Sequence, residues 1–384
     1  MKRAVGILLM GCILGASAPA SADCGHCEGA PQETAEESRF GLQLGGLKLS
    51  PMVLLQIQSL QFIGEDTYLQ ALDAGENEGF RIRRARLGFD GVLYDVLPFS
   101  ISTELAGEEG TARLLDAWFG VSALDYVQFK VGAHKVPFSA TALAPAALGS
   151  LIERPFGVRA MAPFRQVGFQ IFGHLANHAF GYHLGTYNGL QRSDTFFGGY
   201  IEDPATAGNR FGEFSHALRL TTQPLGPLGA SIYDRAHGPF KLGIGVGGLF
   251  SDGDTRDIFG LGADLHMKFK GAHLLAEYLW SRTIPESTPS QSTTQTAEIT
   301  SMAIAAELGY LLEIIPLGAT VRFEWLDPNN EVDDESDSWI LTAGINYSLF
   351  DNLVRLQLDY THREELHGIS LANDSVNVQF QLGL

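Results

Sequence analysis

Val376-Asn377-Val378-Gln379-Phe380-Gln381-Leu382-Gly383-Leu384 alternates at every step between an apolar residue and a polar or small one. Successive side chains of a β-strand point to opposite faces, so this stretch carries one apolar face and one polar face. The same division recurs upstream. Val354, Leu356, Leu358 and Tyr360 oppose Arg355, Gln357, Asp359 and Thr361. Trp339, Leu341, Ala343, Ile345 and Tyr347 oppose Thr342, Gly344, Asn346 and Ser348. Leu317, Ala319, Val321, Phe323 and Trp325 oppose Thr320, Arg322 and Glu324. Nothing after residue 22 is apolar for the roughly 20 residues that a membrane-spanning helix needs. Strands that alternate hide their hydrophobicity from such a scan, because only one face meets lipid.

About sixteen such segments follow one another from residue 47, each near the roughly 10 residues of a tilted membrane strand. They centre on 47–63, 80–90, 99–105, 111–121, 127–138, 166–172, 179–187, 213–221, 240–250, 258–269, 272–280, 301–311, 317–326, 339–349, 354–361 and 375–384. Their connections alternate between short (such as Lys270-Gly271) and long or polar (64–79, 139–165, 188–212, 281–300, 327–338 and 362–374). Two depart from this alternation: 106–110 is short where a long loop is expected, and 222–239 is long where a turn is expected. Phe80, Tyr94, Trp118, Tyr187, Trp280, Tyr310, Trp325, Trp339, Tyr347 and Tyr360 fall mostly near segment ends, where membrane barrels carry aromatic girdles, although aromatics also favour strands in general. The expected fold is all-β: a transmembrane antiparallel β-barrel of about sixteen strands over residues 47–384. An even count lets the sheet close and leaves no unpaired edge in lipid. A soluble β-sandwich needs far fewer strands per domain, and no linker divides this chain in two.

The chain begins Met1-Lys2-Arg3, continues with an apolar stretch to Gly15 and reaches Ala18-Pro19-Ala20-Ser21-Ala22. A basic end, a short apolar core and an Ala-x-Ala site read as a secretory signal peptide over residues 1–22. Leu9-Met10-Gly11-Cys12 offers a competing lipoprotein box, but apolar residues run past it. The formal charge is −18. Removal of Lys2 and Arg3 leaves 24 basic against 44 acidic residues, net −20. The acids cluster in 23–38, 64–79 and 327–337, a terminus and loops, so the net charge says little about the lumen. A basic nucleic-acid footprint is absent. Residues 23–46 form an acidic N-terminal segment that opens on Cys24-Gly25-His26-Cys27. A redox motif of this type belongs between a strand and a helix, which this segment does not offer. A Cys24–Cys27 disulfide suits an oxidising periplasm. Metal binding with His26 is the alternative, with no convincing fourth ligand nearby.

Alternation places Arg84, Arg86, Lys130, Arg219, Lys241, Lys268, Arg322 and Arg355 inward, with Glu104, Asp116, Asp264, Glu277, Glu307, Glu324 and Asp359. Eight bases face seven acids, so opposite charges on neighbouring strands are expected to pair. Two places break the balance. Arg81-Ile82-Arg83-Arg84-Ala85-Arg86 holds four arginines in six residues, with Arg84 and Arg86 facing inward and Arg81 and Arg83 near the outer rim. Connection 139–165 is too apolar to lie in water and carries Arg154, Arg159 and Arg165 against Glu153 alone. Folded inward, it narrows the lumen and presents guanidinium forks suited to phosphate or carboxylate oxygens. The competing expectation is that these arginines pair with Glu104 and Asp116. Ser251–Asp257 has a calcium-loop flavour but lacks the spacing, 327–337 reads as a solvated acidic loop, and His134, His183, His216 and His266 lack metal spacing. No Gly-x-Ser-x-Gly nucleophile motif occurs. Neither enzyme activity, a metal nor a cofactor is expected.

Four passages resemble the phosphate-selective porin O and P family. Phe80-Arg81-Ile82-Arg83-Arg84-Ala85-Arg86-Leu87-Gly88-Phe89-Asp90-Gly91 is similar to its Arg-Arg-x-Arg-Leu strand, and Leu115-Asp116-Ala117-Trp118-Phe119-Gly120 to its Asp-Ala-aromatic strand. Val131-Gly132-Ala133-His134-Lys135-Val136-Pro137-Phe138-Ser139 resembles its Gly-x-x-Lys-x-Pro-Phe-Ser element. Ile152-Glu153-Arg154, with Pro163-Phe164-Arg165-Gln166-Val167-Gly168 after it, resembles the passage from the third loop into the next strand. The resemblance implies a trimeric sixteen-stranded porin with an inward-folded third loop and an arginine-rich anion path. Arg84, Arg86, Lys130, Arg154, Arg159 and Arg165 are its pore-lining candidates, with Glu104 and Asp116 as lumen acids. The expected function is passive diffusion of small hydrophilic solutes and ions across the Gram-negative outer membrane, with a weak preference for anions such as phosphate. Outer-membrane lipid and lipopolysaccharide would surround the barrel. The alternative is a non-channel barrel, an adhesin or structural protein.

Overall fold

The computed structural model describes residues 41–63, 78–106, 112–193, 196, 198–200, 213–253, 256–285, 297–350, 352–368, 370 and 372–384. Residues 1–22, read as a signal peptide, and Cys24 and Cys27 lie outside these described residues. A short strand β1 (Leu42–Leu44) pairs with the start of β2 (Leu47–Ile63). Fifteen further strands follow: β3 (Gly79–Leu93), β4 (Leu97–Glu104), β5 (Arg113–Leu124), β6 (Val127–Lys135), β7 (Arg165–Leu175), β8 (Phe180–Asn188), β9 (Phe214–Thr222) and β10 (Lys241–Ser251). The second half holds β11 (Arg256–Phe269), β12 (Ala272–Pro285), β13 (Ile299–Leu311), β14 (Leu317–Asp327), β15 (Ser338–Leu349), β16 (Val354–Glu365) and β17 (Asp374–Gly383). From β2 on, each strand pairs antiparallel with the next, and β17 pairs with β2, so sixteen strands close into a barrel. Every segment expected from the alternation is one of these strands.

Polarity is inverted relative to a water-soluble protein. On β17, Val378 and Phe380 are 46% and 41% exposed while Gln379 and Gln381 are 1% exposed. The apolar face looks outward, where lipid covers it, and the polar face is enclosed. Enclosed amides need partners, and at the closing seam they supply one another. Gln56 Nε2 donates to Gln381 Oε1 (2.6 Å), Gln58 Nε2 to Gln379 Oε1 (2.8 Å) and Gln379 Nε2 to Gln357 Oε1 (2.8 Å).

At the end that carries the termini most connections are tight. Lys270 and Gly271 have φ of +46° and +89°. Positive φ at both residues of a two-residue hairpin loop follows the twist of the flanking strands, and Gly adopts it without steric cost. The exception is the β9–β10 connection, whose length is explained by where it goes. Leu228, Ile232, Tyr233 and Asp234 are buried. Lys268 Nζ, on the inner face of β11, donates to Leu228 O (2.5 Å) and Ser231 O (2.6 Å). Gly271 N donates to Asp234 Oδ2 (2.9 Å), and Tyr233 Oη meets Thr320 Oγ1 of β14 (2.8 Å). This insert therefore folds back against the inner wall.

Candidate pore constriction

β6 stops at Lys135, three residues before the expected end of its segment. Pro137 has no N–H to give a neighbouring strand. Val136 N donates instead to Phe164 O (2.8 Å), which ties together the two stalks of the third connection at the end opposite the termini, residues 136–164. That connection holds helix α1 (Ala140–Leu143), a 3₁₀ turn (Ala146–Leu148) and helix α2 (Phe156–Met161). Ser139 Oγ caps α1 by accepting from Ala142 N (3.1 Å), which satisfies one orphaned N–H. At the other end Lys135 Nζ donates to Leu143 O (2.6 Å), and Arg154 Nη2 donates to Ala144 O (2.6 Å).

Wall acids hold this connection at four points, three of them backbone N–H groups. Glu277 of β12 accepts from Ala140 N (2.9 Å), and Glu307 of β13 from Ser150 Oγ (2.7 Å). Glu324 of β14 accepts from Phe156 N (2.6 Å), and Asp359 of β16 from Ile152 N (2.7 Å). Arg355 Nη2 donates to Gly149 O (2.6 Å). Charge-assisted bonds of this type are about twice as strong as neutral ones. Apolar packing joins them: Val136, Phe138, Ala142, Val158 and Met161 form one buried cluster with Leu249, Ile258, Leu279, Leu326 and Ile340 of the wall. A Cβ on Gly157 would stand 2.4 Å from Ala303 Cβ, so α2 lies against β13 at a distance only Gly permits. These contacts explain the apolar run of the connection.

The expected site residues fall into three groups. Arg86 and Arg165 are held by acids: Arg86 Nε donates to Glu104 Oε2 (2.8 Å), and Arg165 binds Asp116 through Nε (3.0 Å) and Nη2 (2.9 Å). Glu104 also accepts from Ala85 N (2.6 Å), and Asp116 from Ser102 Oγ (2.9 Å). Arg84 and Arg154 line one pocket with Arg322, Glu153, Glu307 and Ile232 of the β9–β10 insert. Lys130 and Arg159 stand apart from that pocket. Lys130 Nζ lies 5.3 Å from the Trp118 ring centre and 5.7 Å from that of Phe172. Arg159 lies 4.3 Å over the Phe156 ring.

Two features were not legible in the alternation. A β-bulge shifts the β2–β3 register between Gln56 and Ile57, which pair with Arg84 and Ile82. The extra residue is Arg83, and a bulge re-aims the side chains beside it. Arg81 and Arg83, expected near the outer rim, therefore reach Glu153. Arg83 Nε is 2.7 Å, Arg84 Nη2 3.6 Å and Arg81 Nη2 3.7 Å from its carboxylate. Gln58 Nε2 also donates to Glu153 Oε1 (3.0 Å), and Arg322 Nη1 to Glu153 O (2.9 Å). Burial pushes the Glu153 carboxyl up, but Arg83 and Arg84 outweigh it and hold it well below the usual carboxylate range. The second feature is Tyr233, whose hydroxyl also donates to Ser150 O (3.4 Å) and so joins the insert to the third connection. Only the length of the 222–239 connection hinted at it.

A closed sixteen-strand antiparallel barrel, polar within and apolar without, has the architecture of a porin. The model of the phosphate-selective porin O and P family matches residues 61–217, where the sequence motifs lie. No curated relative matches the sequence. Among solved structures, the anion-selective porin from Comamonas acidovorans is similar with a TM-score of 0.59 at 10% identity, over 88% of this chain and 100% of the other. The outer membrane channel DcaP of Acinetobacter baumannii is similar with a TM-score of 0.58 at 12% identity, over 90% and 100%. OmpT of Vibrio cholerae in its trimer form is similar with a TM-score of 0.55 at 13% identity, over 88% and 100%. At these identities the likeness is one of fold.

Proposed function

We propose that this porin is a passive diffusion channel of the outer membrane for small hydrophilic solutes and ions, with a weak preference for anions of the phosphate type. The observation that carries the preference is the ring of cationic groups where the third connection meets the wall. Arg81, Arg83, Arg84, Arg154 and Arg322 gather around three carboxylates, Glu153, Glu307 and Glu324. Fixed guanidinium charges at a narrow point raise the local concentration of anions and repel cations. Elsewhere some inward charges pair, as Arg86 does with Glu104 (2.8 Å) and Arg219 with Asp264 (2.7 Å). Export through a cleaved signal peptide and assembly as a homotrimer in lipid and lipopolysaccharide complete this proposal. The likeness to OmpT in its trimer form supports the last point. The role is transport rather than bond chemistry.

A second reading has its own observation. The third connection and the β9–β10 insert meet inside the barrel through Tyr233 and Ser150, as a plug would. In planar bilayers a reversal potential under a KCl gradient separates the two. The wild type is expected to favour chloride, and Arg81→Ala, Arg84→Ala and Arg154→Ala together should lower that preference. Cation preference, or indifference to the three changes, overturns the anion path. A conductance near zero favours the non-channel barrel.

A further inference from the structure

We infer that the loops after β14 and β16 form a site for a divalent cation of the zinc class, built from Asp333, Asp337 and His367. The first loop, residues 328–337, is the acidic stretch that reads from the sequence as solvated. It lies beside the start of the β16–β17 loop, because Leu366 N donates to Asp337 O (2.7 Å) and Ser338 pairs with Glu365. His367 Nε2 then stands 3.9 Å from Asp333 Oδ1 and 3.9 Å from Asp337 Oδ2. One ligand atom from each of the three side chains lies within 4.8 Å of the others.

A second observation separates this cluster from an ordinary acidic loop. Asp337 is only 5% exposed, and its Oδ1 is buried with no hydrogen-bond partner among the described residues. Asp327 Oδ1 is buried and unpartnered in the same way, and its charge acts on Asp337. Asp337 Oδ2 accepts from Asp334 N (3.4 Å), but enclosed carboxylate oxygens left without a donor are costly, and a bound cation satisfies them. The donor set decides the class of ion. Calcium and magnesium favour all-oxygen shells, whereas an imidazole with carboxylates suits zinc and its neighbours. Zinc–ligand bonds of about 2.0–2.2 Å place tetrahedral ligand atoms about 3.4 Å apart. The two His–Asp spacings of 3.9 Å must close by about half an ångström, and the Asp333–Asp337 spacing, within 4.8 Å, by up to about 1.4 Å. The Asp333 side chain is 85% exposed and that of His367 45%, so both have room to move. Bound there, the ion pins one outer loop to the next at the mouth of the barrel.

The test is calorimetric titration of Zn²⁺ into the folded full-length barrel in detergent. Cys24 and Cys27 are changed to Ser so that their thiols do not compete. One ion per chain is expected to bind. Asp333→Asn and His367→Ala are each expected to weaken binding about tenfold or more, by analogy with the loss of other groups that tune metal sites. Asp333 is exposed, so its substitution leaves folding intact and keeps the test valid if other variants fold poorly. Hydrogen exchange in 328–337 should slow on adding Zn²⁺ to the protein with His367 and not to His367→Ala. The inference is overturned by no saturable uptake, by affinity indifferent to both substitutions, or by Ca²⁺ binding as tightly as Zn²⁺.

Discussion

Replacement of Glu153 by Gln removes the one acid on which Arg81, Arg83 and Arg84 converge. Breaking a buried ion pair by removing one partner typically costs about 3–5 kcal/mol. Here the side chains of Arg81 and Arg83 are 35% and 30% exposed, so water screens part of the interaction. About 2–3 kcal/mol is therefore the expected loss in docking of the third connection. Arg322 still donates to the Glu153 carbonyl, and the four wall acids still hold the connection, so it should loosen rather than detach from the wall. The net charge where the third connection meets the wall also rises by one. Reversal potentials in planar bilayers should shift toward greater chloride permeability, with noisier unitary currents as the connection moves. Guanidinium-induced unfolding should show the lost stability. Unchanged selectivity together with unchanged stability would refute the assignment of Glu153 as the anchor.

Three further outcomes follow from the same geometry. The Glu153 carboxyl is depressed in the folded protein, so its contribution is complete above the ordinary value of about 4.3 and lost only as pH falls through the lowered one. The stability difference between wild type and Glu153→Gln should thus stay constant from pH 8 to about pH 5, and a decline near pH 6 would contradict it. Val378→Arg places a charge on the lipid face of β17 and should cost about 2–4 kcal/mol in refolding into lipid vesicles, while Val378→Leu costs little; equal effects would mean that this face is not in lipid. Tyr233→Phe removes the hydroxyl shared by Thr320 and Ser150, which should cost about 1 kcal/mol and raise unitary conductance by freeing the insert. No change in either would place the insert outside the conduction path.

The barrel was legible because lipid and lumen impose opposite demands on alternate residues, and Val378 and Gln379 show the result in the last strand. The apolar character of Ala140, Ala142 and Leu143 pointed to an inward connection, since such residues do not remain in water. Its attachment was not legible. Glu324 lies 168 residues from the Phe156 N–H that it accepts, and Asp359 lies 207 residues from Ile152. Read along a strand, both are only inward acids available to solute or to a neighbouring base. Arg83 escaped for a different reason: one extra residue in β3 re-aims side chains, and a strict period of two has no means to announce it. Arg165 and Asp116 illustrate the reverse case. Their pairing was foreseen as the competing outcome, and the fork geometry brings it about.

The most direct test of the central claim is single-channel recording of the purified barrel in a planar bilayer under a KCl gradient. Discrete conductance steps with a reversal potential displaced toward chloride are expected. A barrel that inserts and yet gives no steps, or one that reverses toward potassium, would contradict it.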